Sequence, residues 1–306
     1  MLPVYRFKDT LIHGLHPLTA LMLTLTFAVS ALLLENPVYT AVICAGVISL
    51  IILADVWGES RAFIRVGLVV ALFVVIINPL VNHQGSHVLI YGPRLPLWGP
   101  MDVTLEAIAY GFSAALKIFT VIAAFGLMST ILNPDDLLGM LSRFSFRTSL
   151  SAALAVRLYP SMVTDAREIE EVQLARGMPL KGGGRWSRAQ SRVPLWFSLF
   201  QGSLDRASAI AESMSARGFG NGKRTRLSRR LWRPRDILVL ALSAVVLAGV
   251  IAAVVLGKGG YSFFPTLDNP LENLSPVGLA VLAAAPLLLV ILGRSWKRWH
   301  WWRSRI

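Results

Sequence analysis

The sequence predicts an all-α membrane protein with about six transmembrane helices and two further long helices in a cytoplasmic segment. Three observations support this fold class. The mean hydropathy is +0.59, and 55% of the 306 residues are hydrophobic whereas only 15% are charged. A soluble domain carries about 25% charged residues, so this deficit indicates a bilayer environment. Six apolar stretches also approach or exceed the length that a helix needs to cross a membrane.

The six candidate spans differ in length. The first, second and last are short, so we expect tilt, flanking residues or neighbouring helices to accommodate them. Pro79 in the third span and Pro286 in the sixth each remove a backbone donor, and we expect each to kink or end its helix. The pattern Ala28-x-Ser30 resembles a signal-peptide cleavage site, but the long preceding segment favours a retained span. The spans cover residues 18–34, 38–54, 62–81, 103–132, 237–256 and 277–292.

The distribution of Lys and Arg predicts that both termini are cytoplasmic. With the N-terminus inside, the inner segments contain 27 of the 30 basic residues, and the outer loops contain only Arg94 and Lys258. Lys117 lies within the fourth span, where we expect its amine to extend towards the membrane surface. The predicted parts are an N-terminal transmembrane part (1–132), a cytoplasmic part (133–235) and a C-terminal transmembrane part (236–306) whose basic, Trp-rich tail contacts membrane lipid.

The cytoplasmic part is too apolar and too patterned for a disordered loop. Residues 133–136 (NPDD) combine an N-cap, a proline and acids, which favour the start of a helix. A long helix is expected from about Ser149 to Arg176, in two pieces or bent at Pro160. A second is expected from near Pro194 to Arg217. A glycine-rich connector at 181–185 separates them.

The two predicted helices have different surfaces. The first carries small residues that permit close helix crossing, and acids that we interpret as a solvated or partner-facing surface rather than as catalytic groups. Within it, Arg167 and Glu171 have the spacing of an ion pair. The second has an apolar stripe at intervals of three or four, which predicts a contact face. The members of that stripe are Trp196, Phe200, Ser203, Ala207, Ile210 and Met214.

Both predicted helices end in the same three residues, 41 positions apart. One interpretation is ordinary capping, because Arg is favourable at a helix C-terminus and Gly adopts the left-handed conformation that ends a helix. The other is a duplicated docking element for a partner with two equivalent copies, in which each Arg binds a carboxylate through two hydrogen bonds. The two copies are Ala175-Arg176-Gly177 and Ala216-Arg217-Gly218.

Together these features resemble the T component of energy-coupling factor (ECF) transporters, the family that includes the cobalt-importer transmembrane subunit. Residues 16–21 (HPLTAL) resemble its N-terminal Asp-Pro-Arg-Thr-Lys-Leu pattern, with His, Leu and Ala in place of the usual polar residues. Residues 128–137 (MSTILNPDDL) resemble its entry into the cytoplasmic helices, and 157–160 (RLYP) resemble its Arg-Phe-x-Pro element. Lys117 falls where members often carry a basic residue.

The resemblance implies a function and a set of partners. The chain would be the transmembrane coupling subunit of a plasma-membrane importer for a vitamin or a transition-metal ion. Its two Ala-Arg-Gly ends would dock into two ABC ATPase subunits. One small substrate-binding membrane subunit, the S component, would select the substrate and contact Trp196, Phe200, Ala207 and Met214. We therefore expect no vitamin-sized pocket wholly within this chain.

Signatures of chemistry are absent from the sequence. The segment nearest to a phosphate-binding loop, 218–224, is preceded by Arg217 where a glycine is needed, and Arg224 stands where Ser or Thr is needed. The only cysteine is Cys44, which excludes an intrachain disulfide and a cysteine metal site. His83 and His87 are four apart, and we interpret them as a solvated loop. We expect no catalytic residue, no metal, no cofactor and no nucleic-acid binding.

Two other functions remain open. A membrane-embedded, lipid-modifying enzyme would need clustered polar groups at membrane depth, but the spans offer little beyond Lys117. A conventional ABC permease subunit typically has one coupling helix per chain in a symmetric pair, whereas this chain has two equivalent helix ends. Copurification with two ATPases and a further small membrane protein would distinguish the coupling subunit from both.

Overall fold

The structure is a computed structural model, and its helices confirm the all-α membrane fold. It describes residues 8, 10–82, 85–90, 94–95, 99–100, 103–141, 145–177, 186, 190, 192–222, 232–265, 267–270 and 275–298. The glycine-rich connector, His83 and the tail beyond Arg298 lie outside these residues. Two compact units are present. The first, here the membrane unit, comprises 1–136 and 230–306, and the second, the paired-helix unit, comprises 137–229.

Nine helices and four short strands are described. The helices are α1 (Pro17–Leu33), α2 (Pro37–Leu53), α3 (Trp57–Val81), α4 (Leu105–Ile131), α5 (Pro134–Leu141), α6 (Phe146–Ala175), α7 (Val193–Ala216), α8 (Pro234–Val255) and α9 (Pro276–Arg298). The strands are β1 (Val88–Ile90), β2 (Arg94–Leu95), β3 (Gly99–Pro100) and β4 (Val103–Thr104). Each of the six predicted spans therefore corresponds to a helix.

Among the described helices, α3, α4 and α8 are long and apolar enough to cross a membrane. The helices α1 and α2 and residues 278–293 of α9 are apolar but shorter, as the sequence predicted for the first, second and last stretches. Capping side chains define several starts. The Oδ1 of Asn36 accepts a hydrogen bond from the Val38 N–H at 2.9 Å at the start of α2. Helix α3 ends two residues after Pro79, whereas α9 continues past Pro286.

The core of the membrane unit lies between α1, α2, α4, α8 and α9. Helix α1 packs on α4 and α8, and α2 packs on α4 and α9. The largest fully buried apolar side chains include Phe27, Leu50, Leu127 and Leu289. Helix α3 packs closely on α4, because a Cβ at Gly126 would lie 2.8 Å from the Cβ of Phe63. Beyond Arg65, most of the remaining surface of α3 is apolar and exposed, as expected for a face that contacts lipid.

The loop between α3 and α4 contains structure that the sequence did not predict. Strand β1 pairs antiparallel with β4, and β2 pairs antiparallel with β3. At the start of α4 the buried carboxylate of Glu106 accepts hydrogen bonds from the Ser86 hydroxyl at 3.0 Å and the His87 N–H at 3.1 Å. The side chain of His87 is exposed, but its Nδ1 also lies 2.9 Å from the Glu106 carboxylate, so His87 is held against α4 and is not simply part of a solvated loop. No cluster of metal-ligating side chains occurs among the described residues.

In the paired-helix unit, α6 and α7 pack on one another. Helix α6 is continuous from Phe146 to Ala175 with Pro160 inside it, so the alternative of two separate pieces is wrong. The predicted pair of Arg167 and Glu171 does not form in the described part of the chain, where neither side chain has an ion-pair partner. The long helices begin and end within a few residues of the predicted limits.

Candidate functional site

The two Ala-Arg-Gly segments form helix ends of the same geometry. Helix α6 ends at Ala175, and Arg176 follows with φ −81° and ψ 6°. Helix α7 ends at Ala216, and Arg217 follows with φ −82° and ψ 8°. The next residue is left-handed in both cases, with φ +78° at Gly177 and φ +73° at Gly218. We call these two helix ends the tips.

Backbone hydrogen bonds cap the C-terminus of both helices, and they depend on the left-handed conformation of the glycine. The Gly177 N–H donates to the Leu174 carbonyl at 3.0 Å, and the Gly218 N–H donates to the Ser215 carbonyl at 2.9 Å. A further bond from the Phe219 N–H to the Met214 carbonyl at 3.0 Å completes a Schellman motif at the second tip. A Cβ on either glycine would meet open space, so backbone conformation rather than crowding requires glycine here. The hydrogen bonds and φ values therefore explain the glycines. They do not bear on the arginines, whose positive charge is favourable at the C-terminal end of either helix.

The arginine side chains of the tips are exposed. Neither Arg176 nor Arg217 forms an ion pair with any residue in the described ranges. Ala175 and Ala216, one position earlier, are exposed as well. Each tip thus presents a positive, fork-shaped donor next to a small side chain, which is the chemistry that binds a carboxylate in a narrow groove.

The tips lie at equal distances from a polar contact between α6 and α7. Arg206 of α7 donates to the Ser161 hydroxyl of α6 at 2.7 Å and forms an ion pair with Asp165. Asp165 and Arg206 are 41 positions apart, the same separation as Arg176 and Arg217. Each tip is therefore eleven residues, or about 16 Å of helix, beyond this crossing.

A second contact establishes the relative direction of the two helices. Phe146 at the start of α6 packs against Phe219 just beyond the end of α7, with ring centroids 6.2 Å apart. These rings could not meet if the helices ran in the same direction through the Asp165–Arg206 contact, because they would then lie on opposite sides of it. The pair is antiparallel, and its tips lie at opposite ends, roughly 30 Å apart.

The predicted contact residues of α7 share one face but differ in exposure. Trp196 and Phe200 are each 68% exposed and Ala207 is exposed, whereas Met214 is half-buried near the other end of the helix. Phe197 and Leu204 extend the exposed apolar surface, with Phe197 69% exposed. Sequence analysis missed these two because it followed a single stripe, although both are large apolar residues on the adjoining face. We call Trp196, Phe197, Phe200 and Leu204 the apolar patch.

At least two cavities of ligand size lie among the described residues of the membrane unit. One has a volume of about 340 Å³ and is lined by residues of α4, the α1–α2 turn and the segment after α8. The other has a volume of about 570 Å³ and lies mainly between α8 and α9. Both volumes fall in the range of small-molecule sites. Space of vitamin size is therefore present within the membrane unit, contrary to the expectation from the sequence.

Comparison with known proteins now identifies the family. The family profile CbiQ, described as cobalt transport protein, matches residues 8–227, well over half of the chain and including both tips. The chain belongs to the CbiQ family. Two curated relatives of this CbiQ-family chain are each called energy-coupling factor transporter transmembrane protein EcfT. The protein of Bacillus selenitireducens is 25% identical over 264 residues, and that of Streptococcus thermophilus is 27% identical over 261 residues.

Both alignments cover 81% of this chain and 95% of the relative, so the similarity extends over nearly the whole length of those proteins. The predicted resemblance to the T component is thereby confirmed. This CbiQ-family chain is therefore a transmembrane component of the ECF transporter type.

Proposed function

We propose that this chain couples two ABC ATPase subunits to a separate substrate-binding membrane subunit, and that it does so through the paired helices. One observation carries the proposal. Two exposed arginine tips of the same geometry lie at opposite ends of an antiparallel helix pair, each eleven residues beyond the Asp165–Arg206 contact. Simple capping would not place two such tips symmetrically about one crossing.

The arrangement suits a partner with two equivalent copies. Each tip would enter a groove on one ATPase, where a carboxylate would receive the guanidinium of Arg176 or Arg217. Ala175 and Ala216 would leave room for the groove walls. When ATP binding draws the two ATPases together, the tips would be moved relative to one another, and the helix pair would carry that movement towards the membrane unit.

The apolar patch is our candidate for contact with the substrate-binding subunit. Large exposed aromatic side chains are typical of interfaces, because they bury much apolar surface with little loss of side-chain freedom. Trp196, Phe200 and Ala207 would belong to that contact directly. Met214, half-buried on the same face near the end of α7, would extend that contact. The chain itself would do no chemistry, since the partner ATPases would hydrolyse ATP and the substrate-binding subunit would select a vitamin or a transition-metal ion.

The distribution of basic residues supports a plasma-membrane location with both termini in the cytoplasm. In this topology the paired-helix unit lies on the cytoplasmic side, where 27 of the 30 Lys and Arg residues also lie. The ATPases, which need cytoplasmic ATP, would meet the tips on that side.

Charge reversal at the tips tests the proposal. Arg176→Glu and Arg217→Glu should each weaken copurification of the ATPases and impair uptake, and the double variant should abolish uptake. Truncating one partner of a desolvated Arg–carboxylate pair costs roughly 2–5 kcal/mol, much of it from the charge left unpaired. Arg167→Glu, the same change at an exposed site within α6, is the matched control and should retain uptake. Full uptake by the double variant would reduce the tips to ordinary caps and overturn the proposal.

A further inference from the structure

One of the two cavities described above in the membrane unit has opposite charges in its lining. It has a volume of about 340 Å³, and Lys117 and Glu35 both line it together with aromatic side chains. It lies wholly within the membrane unit, so its interpretation is independent of the coupling proposal. A charged side chain within a membrane-spanning helix is costly, and such residues mark functional sites.

One wall of the cavity is a single face of α4. Tyr110, Ser113, Ala114 and Lys117 all line it, at the spacing of three or four that places residues on one side of a helix. Lys117 is half-buried and lies twelve residues, about 18 Å, from the start of α4. Its amine has no hydrogen-bond or ion-pair partner among the described residues. The hydroxyl of Ser113 is one turn away on the same face.

The opposite wall carries the complementary charge. Glu35 is exposed in the turn between α1 and α2, where its N–H donates to the Gly259 carbonyl at 3.0 Å. Its carboxylate accepts a long hydrogen bond from the Tyr261 N–H at 3.5 Å. The ring of Phe263 lies 4.5 Å from that of Tyr261 and 5.3 Å from that of Tyr110, measured between centroids. A carboxylate beside aromatic rings is an environment that binds an ammonium group.

Lys117 and Glu35 attract one another across the cavity, but no ion pair within 4.0 Å joins them in the described structure. A ligand that carries both a negative and a positive group would pair with both residues. We propose that this cavity binds the headgroup of a zwitterionic phospholipid such as phosphatidylethanolamine. The phosphate would contact Lys117 and Ser113, and the ammonium would contact Glu35 and the aromatic rings.

The position of the cavity favours a lipid over a soluble zwitterion. Glu35 lies where α1 ends and α2 begins, at the level where apolar helices reach the membrane surface and headgroups are found. Lys117 lines the same cavity as Glu35, so its amine can approach that level while its Cα stays deeper. Acyl chains could then follow the exposed apolar surfaces of the helices.

The test uses the full-length chain, purified in detergent and stripped of lipid, with binding measured by native mass spectrometry. The ligands are phosphatidylethanolamine, phosphatidylglycerol with the same acyl chains, and free phosphoethanolamine. We expect phosphatidylethanolamine to bind the unchanged chain roughly tenfold more tightly than phosphatidylglycerol, since hydrogen bonds to charged groups are worth at least that much. Free phosphoethanolamine should bind much more weakly than the lipid.

Substitutions of Lys117 and Glu35 then test the contribution of each charge to binding. Lys117→Met should lower the affinity for phosphatidylethanolamine roughly tenfold, and Glu35→Gln should remove most of the preference for it over phosphatidylglycerol. Lys258→Met, an exposed lysine outside this cavity, should leave both affinities unchanged. Equal affinity of the unchanged chain for the two lipids would overturn the proposal without any variant. So would full affinity in Lys117→Met, or free phosphoethanolamine binding as tightly as the lipid, which would assign the cavity to a soluble zwitterion.

Discussion

The carboxylate of Asp236 accepts a hydrogen bond from the backbone N–H of His16 at 3.0 Å, across 220 residues of sequence. Asp236 is buried in the first turn of α8, where its other oxygen accepts the N–H of Arg233 at 3.1 Å. The ring of Trp232 stacks on the imidazole of His16 with centroids 4.4 Å apart. The start of α1 is thereby fixed to the point at which the chain returns to the membrane unit from the paired helices.

Removal of the Asp236 carboxylate should therefore destabilise the membrane unit. In Asp236→Ala the buried N–H of His16 loses its acceptor, and α8 loses an N-terminal capping interaction. Each such loss costs about 1–3 kcal/mol, so we expect a lowered thermal midpoint of the purified chain in detergent. Asp236→Asn keeps one carbonyl acceptor and should lose less. Asp205→Ala, at an exposed site of α7, should keep the midpoint of the unchanged chain; an equal midpoint for Asp236→Ala would show that the bond contributes little.

The sequence predicted features that depend on local chemistry. Hydropathy and helical spacing are properties of neighbouring residues, and they located the spans and the two long helices to within a few residues. The helix ends at Arg176 and Arg217 were predicted for the same reason, since Gly177 and Gly218 favour the left-handed conformation wherever they occur. His16 departs from the family's N-terminal Asp-Pro-Arg-Thr-Lys-Leu pattern, in which Asp stands at this position. In the structure its Nδ1 accepts a hydrogen bond from the Leu18 N–H at 3.3 Å and so caps α1.

Long-range contacts could not be predicted in this way. Nothing near Asp165 in the sequence indicates that it pairs with Arg206 rather than with a residue on its own helix. The antiparallel direction of α6 and α7 follows only from two contacts read together. The cavity at Lys117 is also lined by residues of the segment after α8. Because Lys117 and Tyr261 are far apart in the sequence, local patterns could not predict that they line the same cavity.

Alanine at the tip glycines should separate helix capping from arginine docking. An L-residue in the left-handed conformation costs about 1–2 kcal/mol, so Gly177→Ala and Gly218→Ala should fray the last helical turn and misplace the adjoining arginine. We expect weaker copurification of the ATPases, with a smaller loss for Asn at the same sites because Asn tolerates this conformation. Gly202→Ala, within α7 and in open space, is the matched control and should slightly stabilise the helix. Normal copurification in both tip variants would argue against precise placement of the arginines.

The Asp165–Arg206 contact should affect transmission more than assembly. Both side chains are about one third exposed, so solvent screening limits the pair to about 1 kcal/mol or less. Arg206→Met should reduce uptake while the ATPases still copurify, because the tips remain intact. Arg206→Lys keeps the charge but loses the fork that reaches both Ser161 and Asp165, and should be intermediate. A double-mutant cycle of Arg206→Met and Asp165→Asn measures the interaction free energy between the two side chains. Strictly additive effects on stability would show that the pair does not act as a unit.

Acidic substitutions in the apolar patch should detach the substrate-binding subunit and leave the ATPases in place. In Trp196→Asp and Phe200→Asp a charge would be buried at the proposed interface, and an unpaired buried charge costs several kcal/mol. Both residues are exposed in this chain, so its own folding should be little affected. Copurification of each partner is the measurement, because the ATPases would bind at the tips and would report separately on whether the helix pair is intact. Ala209→Asp, at an exposed position on the side of α7 away from the patch, should retain both partners. Retention of the substrate-binding subunit by the double variant Trp196→Asp/Phe200→Asp would place its contact elsewhere, whereas loss of both partners together would indicate a damaged helix pair.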